Sequence, residues 1–153
     1  DLELPTTRNP WLYLTELFHF WKDKKMIHSF ICNHPGETYL CEYYAKSKML
    51  ELWGLHYQNK NSKVIKMLYN SVHSLDQEAL KKELQQGVRE FGDNYIVGFG
   101  TIAVGVTGNE PILSPEQLER DLRIAQEVGV KEVVLFRLGG LNKKYVKVME
   151  KFV

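Results

Sequence analysis

The chain has 153 residues, of which 44% are hydrophobic and 25% are charged, the balance of an ordinary globular protein. Its 20 basic and 19 acidic side chains give a formal net charge of +1, so no strong field would attract nucleic acid or an acidic membrane. Two cysteines, Cys32 and Cys41, are too few for a disulfide framework, and we expect a reducing, cytoplasmic setting. Because no apolar run reaches the ~18–20 residues that span a bilayer, the sequence predicts no membrane span.

Residues 1–62 form a first segment that is rich in helical patterns. Asn9 stands before a proline, the arrangement of a helix N-cap followed by the first helical turn. Large apolar side chains then recur at helical spacing to about Lys24. The short apolar run 26–32 carries little helix signal and predicts a strand, whereas aromatic residues three or four apart at 37–58 predict a second helix.

Residues 63–153 form a second segment, in which strands and helices alternate. The sequence predicts strands at 63–69, 95–104 and 130–138, of which the last two are apolar enough to be buried. The polar run 59–62 is the best candidate for an internal boundary. We nevertheless expect both segments to belong to one domain, because the chain length suggests a single domain.

Helix start signals follow each of these strands. Ser74, with Gln77 three residues later, predicts a capping box at the start of the first helix. Ser114 and Gln117 repeat that pattern at the start of the second helix, which also has a proline in its first turn. Asn142 is placed to cap a short last helix.

This alternation predicts a parallel sheet with right-handed crossovers, and therefore an α/β fold. Two architectures share that order of elements: a (β/α)₈ barrel of the TIM type, which typically needs ~250 residues, and an open parallel β/α sheet. Four candidate strands at most would make about half of a barrel. From spacing alone, both architectures stay open.

Part of the second segment resembles the C-terminal end of a family of uncharacterised TIM-type barrels. Residues 108–111 (GNEP) match a glycine-rich loop with a G-x-E-P segment, 114–118 (SPEQL) match the start of the next helix, and 138–141 (LGGL) match the end of the next strand. The resemblance spans 100–141 and implies that the chain is the C-terminal part of such a barrel, behind a helix-rich N-terminal segment. It implies no established reaction, and the likeness to glycoside-hydrolase-like barrels is an analogy of fold.

In a barrel of this type the site lies at the carboxyl ends of the strands, and this rule selects candidate residues. Glu110, in the loop after the 95–104 strand, is the first choice for a catalytic acid/base. The alternative is a structural carboxylate that binds Arg137 or holds the next helix. Arg137 lies among apolar neighbours, so it must be paired or face a polar mouth. Further substrate contacts are predicted at Tyr69, Asn109, Gly139 and Gly140.

Two other kinds of site were weighed. Gly139 and Gly140 precede a helix start, where backbone N–H groups can bind phosphate, although paired glycines more often only allow a tight turn. The histidines and cysteines between residues 28 and 41 have the chemistry of metal ligands but lack the paired spacing of zinc sites. The sequence therefore predicts no metal and no cofactor.

Three hypotheses of function remain. In the first, the chain is part of a hydrolase-like barrel enzyme that acts on a carbohydrate-like substrate, with Glu110 as the acid/base. In the second, it is a non-catalytic binding or assembly module whose aromatic faces pair with another subunit, including a second copy. In the third, the barrel binds a phosphorylated metabolite at Gly139 and Gly140. None of the three involves nucleic acid.

Overall fold

The chain divides into two compact units, Asp1–Ser62 and Lys63–Val153. Between them they contain six α-helices and four β-strands within the part of the chain that is described. The computed structural model describes residues 10–42, 47–53, 56–57, 61–73, 75–104, 108–109 and 111–153.

The first unit contains two helices and a short strand: α1 (Pro10–Asn33), β1 (Thr38–Glu42) and α2 (Ser47–Trp53). The predicted strand at 26–32 is wrong, because these residues continue α1. The predicted helix at 37–58 is wrong in its first part, where β1 lies. No helix among the described residues is both long enough and apolar enough to cross a bilayer.

Both corrections have physical causes. The run 26–32 contains no glycine or proline, so each further residue adds a hydrogen bond to a helix that is already formed. The helix stops just before Pro35. At β1, the N–H of Thr38 donates to the C=O of Asn61 at 2.9 Å, and the Thr38 and Ser62 hydroxyl oxygens lie 2.9 Å apart. These partners are more than 20 residues away, so local spacing does not reveal them.

The second unit repeats strand and helix, as predicted. Two short 3-10 turns, Gly92–Asn94 and Leu138–Gly140, precede β3 and follow β4. The elements are β2 (Ser62–Met67), α3 (Asn70–His73), α4 (Gln77–Phe91), β3 (Tyr95–Gly100), α5 (Pro115–Glu127), β4 (Glu132–Phe136) and α6 (Lys143–Met149).

The strands β2, β3 and β4 lie side by side and run parallel. Val64 is in register with Tyr95 across β2 and β3, and Ile96 with Glu132 across β3 and β4. The prediction of an α/β fold with a parallel sheet is thus confirmed. The peptide bonds that follow β3 and β4, Gly100–Thr101 and Phe136–Arg137, are cis.

One face of this sheet is covered by α4. The ring of Tyr95 stacks on Phe91 of α4, with 6.2 Å between the ring centroids. A Cβ at Gly87 would lie 2.2 Å from the Tyr95 ring, so only glycine lets helix and strand approach this closely. By strand alternation, Val97 and Phe99 share this face with Tyr95, and both are fully buried.

Capping side chains begin three of the helices. The Ser114 and Gln117 capping box of α5 and the Asn142 cap of α6 are confirmed. The predicted Ser74 cap of α4 is wrong, and Ser74 itself lies outside the described residues. The N-cap of α4 is Asp76, whose carboxylate accepts the N–H of Ala79 at 2.7 Å. A carboxylate is the stronger choice there, because it also interacts with the positive end of the helix dipole.

Candidate functional site

The carboxyl ends of β2, β3 and β4 meet at one edge of the sheet, because the three strands are parallel. Tyr69 follows β2 by two residues, and Phe136 is the last residue of β4. Their rings are stacked, with centroids 5.6 Å apart and planes inclined by 19°. We call these two stacked rings the aromatic platform.

Two glycines on β3 explain how residues of β2 and β4 can touch across the strand between them. Gly98 and Gly100 are in register with Val134 and Phe136, so all four positions lie on the face of the sheet opposite α4. Because Gly100 has no side chain, nothing at that position of β3 separates the rings of Tyr69 and Phe136. A Cβ at Gly100 would lie 2.6 Å from the Phe136 carbonyl oxygen, so a side chain there would push β4 away.

The platform is partly open to solvent. Phe136 is 37% exposed and Tyr69 is half-buried. Large aromatic rings that keep one face accessible suit a ligand with an apolar face of its own, such as the C–H face of a sugar ring. Sequence reasoning selected Tyr69 but missed Phe136. The signal that identifies it is the alternation of glycine at positions 98 and 100.

Hydrogen bonds fix the backbone beside the platform. The Ser71 hydroxyl donates to the C=O of Gly100 and accepts the N–H of Thr101, both at 2.6 Å. The Thr101 hydroxyl donates to the C=O of Pro111 at 2.8 Å. Ser71 thus ties α3 to the end of β3, and Thr101 ties the end of β3 to the segment before α5.

The last helix is attached to the same loop. The Tyr145 hydroxyl, on α6, donates to the C=O of Leu113 at 2.7 Å, and the N–H of Leu113 donates to the C=O of Thr101 at 2.7 Å. Burial raises the pKa of Tyr145, so this hydroxyl keeps its proton and remains a donor. These hydrogen bonds hold the described loops around the platform in one arrangement.

A fully buried carboxylate lies behind the site. Asp121 of α5 accepts the Asn70 amide at 3.1 Å and the Arg120 guanidinium at 2.7 Å. Burial raises the pKa of Asp121, and the hydrogen bonds from Arg120 and Asn70 oppose that rise. Because Asp121 has no exposed surface, it positions α5 against the start of α3 and does not meet a ligand. The sequence signal that was missed is an aspartate within the apolar stripe of α5.

Three of the predicted site residues lie in the loops after β3 and β4 by sequence: Asn109, Glu110 and Arg137. Glu110 lies outside the described residues, so its role stays a prediction. Arg137 and Asn109 are exposed, and the Arg137 side chain makes no hydrogen bond or ion pair with any residue that the structure describes. An exposed guanidinium next to Phe136 is available to a ligand.

The two glycines after β4 differ in their surroundings. A Cβ at Gly140 would lie 2.0 Å from the carbonyl oxygen of Ile102, whereas nothing lies within 4 Å of a Cβ at Gly139. The N–H of Gly140 donates to Arg137 and that of Leu141 to Leu138, at 3.0 and 2.9 Å. These two N–H groups are thus used within the turn, and Gly140 has a steric reason to be glycine.

Histidine and cysteine come together at one place on α1. The Cys32 sulfur lies 3.8 Å from both ring nitrogens of His28, one helical turn away. In the described ranges, no three or more potential metal ligands cluster. A single His and Cys pair on an exposed helix surface does not make up the four-ligand set of a structural zinc site.

Comparison with known proteins finds no matching family model, no matching curated protein and no matching solved structure. The resemblance of residues 100–141 to TIM-type barrels therefore stays a prediction. The parallel sheet and the site at its carboxyl end are compatible both with that architecture and with an open sheet. Function has to be argued from the site itself.

Proposed function

We propose that the chain is the C-terminal part of a TIM-type barrel enzyme, hydrolase-like in its chemistry, that binds a carbohydrate-like substrate on the aromatic platform. The observation that carries this proposal is the stack of Tyr69 on Phe136, open to solvent at the carboxyl end of a parallel sheet. Ligands of β/α proteins bind outside the carboxyl ends of the strands. A stacked aromatic surface at that place favours a ring with an apolar face.

The neighbouring side chains have complementary roles in this proposal. Arg137 and Asn109, both exposed, supply hydrogen-bond donors for the hydroxyl groups of the substrate. Glu110 follows Asn109 in the sequence and acts as the acid/base. Glycosidic bond cleavage uses two carboxylates, so Glu110 requires a second carboxylate across the scissile bond.

The binding step is tested by titrating a panel of neutral oligosaccharides into the isotope-labelled chain and following its amide resonances. We expect shifts around Tyr69 and Phe136, and a loss of affinity of about fivefold for Phe136→Ala, since stacking on an aromatic ring is worth ~1 kcal/mol. Leu138→Ala is the matched control, because Leu138 is apolar and 80% exposed but outside the stacked pair.

The catalytic step is tested separately with chromogenic glycosides. Glu110→Gln should remove turnover and leave oligosaccharide binding intact, because the amide keeps the shape of the carboxyl group but cannot exchange its proton. Glu116→Gln is the control, since Glu116 is an exposed carboxylate in the first turn of α5. Absence of binding across the panel would reject the proposal, and binding without turnover would reject its catalytic part.

The second candidate is a non-catalytic binding or assembly module. It is favoured by the exposure of large apolar residues on and just after β4, where Val134 is 42% and Leu138 80% exposed. A phosphometabolite site at Gly139 and Gly140 has less support, because the N–H groups of Gly140 and Leu141 donate within their own turn. Self-association without any ligand binding would favour the assembly module.

A further inference from the structure

One side of β4 is paired with β3, and the other side is open. The C=O of Phe136 accepts the N–H of Ile102, which places the peptide groups of even-numbered residues on the β3 side. By alternation, the N–H and C=O groups of Val133 and Leu135 point away from β3. Among the described strands β4 is the last in the sheet, with β3 as its one neighbour. An open strand edge of this kind is a template for another strand.

Both faces of β4 are also apolar at this edge. On the face opposite α4, Val134 is 42% and Phe136 37% exposed. On the helix side, Val133 and Leu135 line an apolar groove of about 300 Å³ that runs beneath α5 and α6. The groove is completed mainly by Leu122, Ala125, Met149 and Phe152. A strand added beside β4 would therefore find apolar contacts above and below the sheet.

We propose that two copies of this chain associate through β4, by antiparallel pairing of the two strands about a two-fold axis. The open peptide groups require a polypeptide backbone as the occupant, which neither a lipid nor a small ligand supplies. The occupant must also be apolar on both faces, and β4 itself has that property from Val133 to Phe136. A two-fold axis makes such an edge complementary to itself. The inference does not rest on the proposed function: in a closed barrel this edge of β4 would pair with the barrel's first strand. Phe136 belongs to both surfaces.

The charges at the two ends of β4 select the register of this pairing. An axis at Val134 would place Lys131 opposite Arg137 of the second copy, and like charges directly opposite each other destabilise a sheet. An axis at Leu135 places Arg137 opposite Val133 instead. That arrangement brings no like charges together and sets the two Leu135 side chains against each other.

The solution mass of the full chain, measured by light scattering over a range of concentrations, tests the proposal. We expect twice the chain mass of 17.9 kDa. Val134→Lys should weaken dimerisation at least tenfold, because lysine on an edge strand opposes strand addition. Ile112→Lys is the matched control and should still dimerise, because Ile112 is 49% exposed but lies outside β4.

Hydrogen exchange of the Val133 and Leu135 amides separates strand pairing from other kinds of association. In the dimer these amides should be protected, and in Val134→Lys they should exchange freely while amides in β3 stay protected. Continued protection of the β3 amides in Val134→Lys also shows that the variant is folded. A monomer at all concentrations, a dimer that Val134→Lys leaves unchanged, or a dimer with unprotected Val133 and Leu135 amides would each overturn the proposal.

Discussion

Gly140 lies where the turn after β4 packs on the backbone after β3. A Cβ at this position would meet the Ile102 carbonyl oxygen at 2.0 Å, and backbone cannot move aside as a flexible side chain would. We expect Gly140→Ala to lower the free energy of unfolding by roughly 2–3 kcal/mol, in the upper part of the range for overpacking. Urea denaturation followed by circular dichroism measures this loss.

Gly139→Ala is the control for that measurement. The same type of substitution one residue earlier meets no atom within 4 Å, so the change in stability should stay within about 0.5 kcal/mol. Equal losses for both substitutions would mean that flexibility of the turn, and not the close approach to Ile102, is the reason for glycine here.

The buried carboxyl of Asp121 predicts a pH effect on stability. Its pKa is raised mainly by burial, so the folded state binds a proton more tightly than the unfolded chain does. The stability that this proton provides is complete below the ordinary aspartate pKa of 3.8 and is lost as the pH rises through the raised value. Over that window the free energy of unfolding should fall in the wild type relative to Asp121→Asn.

The comparison with Asp121→Asn is needed because other carboxyls titrate in the same window. Hydrogen bonds lower the pKa of Glu116 and Glu119, and lowered values make stability rise with pH. The Asp121→Asn variant keeps the carboxyls of Glu116 and Glu119 and removes only the carboxyl of residue 121. Stability curves of the two proteins that stay parallel as the pH rises from below 3.8 would contradict the raised pKa of Asp121.

Among the elements, α4 depends on a cap that the sequence pattern had placed two residues too early. Asp76 accepts the N–H of Ala79, one of the four N–H groups that a helix start leaves without a partner. Asp76→Ala should therefore cost about 1 kcal/mol of folding free energy, as measured by thermal or urea unfolding. Asp93→Ala should cost less than about 0.5 kcal/mol, because its ion pair with Lys131 is largely exposed.

The elements of the second unit could be predicted from sequence because their signals are local. The Ser114 capping box and the Asn142 cap are set by residues within one helical turn, and the apolar runs that form β2, β3 and β4 are bounded by turn residues. In the first unit the decisive interactions are distant. β1 depends on partners at Asn61 and Ser62, which no pattern between residues 37 and 58 records.

The candidate site was predicted in part. The rule that ligands bind at the carboxyl ends of parallel strands selected Tyr69 and Arg137. Phe136 was missed because an apolar residue in a strand expected to be buried on both faces is taken for core, whereas β4 has exposed positions on one face. Asp121 was missed because Asn70, its partner at the start of α3, lies 51 residues away in the chain.

At the scale of the whole molecule, the second unit has a core of its own. Its fully buried side chains include Leu80 and Leu84 of α4, Phe99 of β3 and Leu118 of α5. We therefore expect residues 61–153, which include all of β2, to fold as a separate chain. A single cooperative unfolding transition with protected amides in β3 is the expected result. A gradual transition without such protection would mean that this core needs the first unit.

The division into two units also separates the fluorescent side chains. All three tryptophans, Trp11, Trp21 and Trp53, belong to Asp1–Ser62, and Lys63–Val153 contains none. Tryptophan emission therefore reports on the first unit alone, whereas far-ultraviolet circular dichroism reports on the helices of both units. Recording both signals during one denaturation of the unaltered protein shows whether the two units unfold together or in succession.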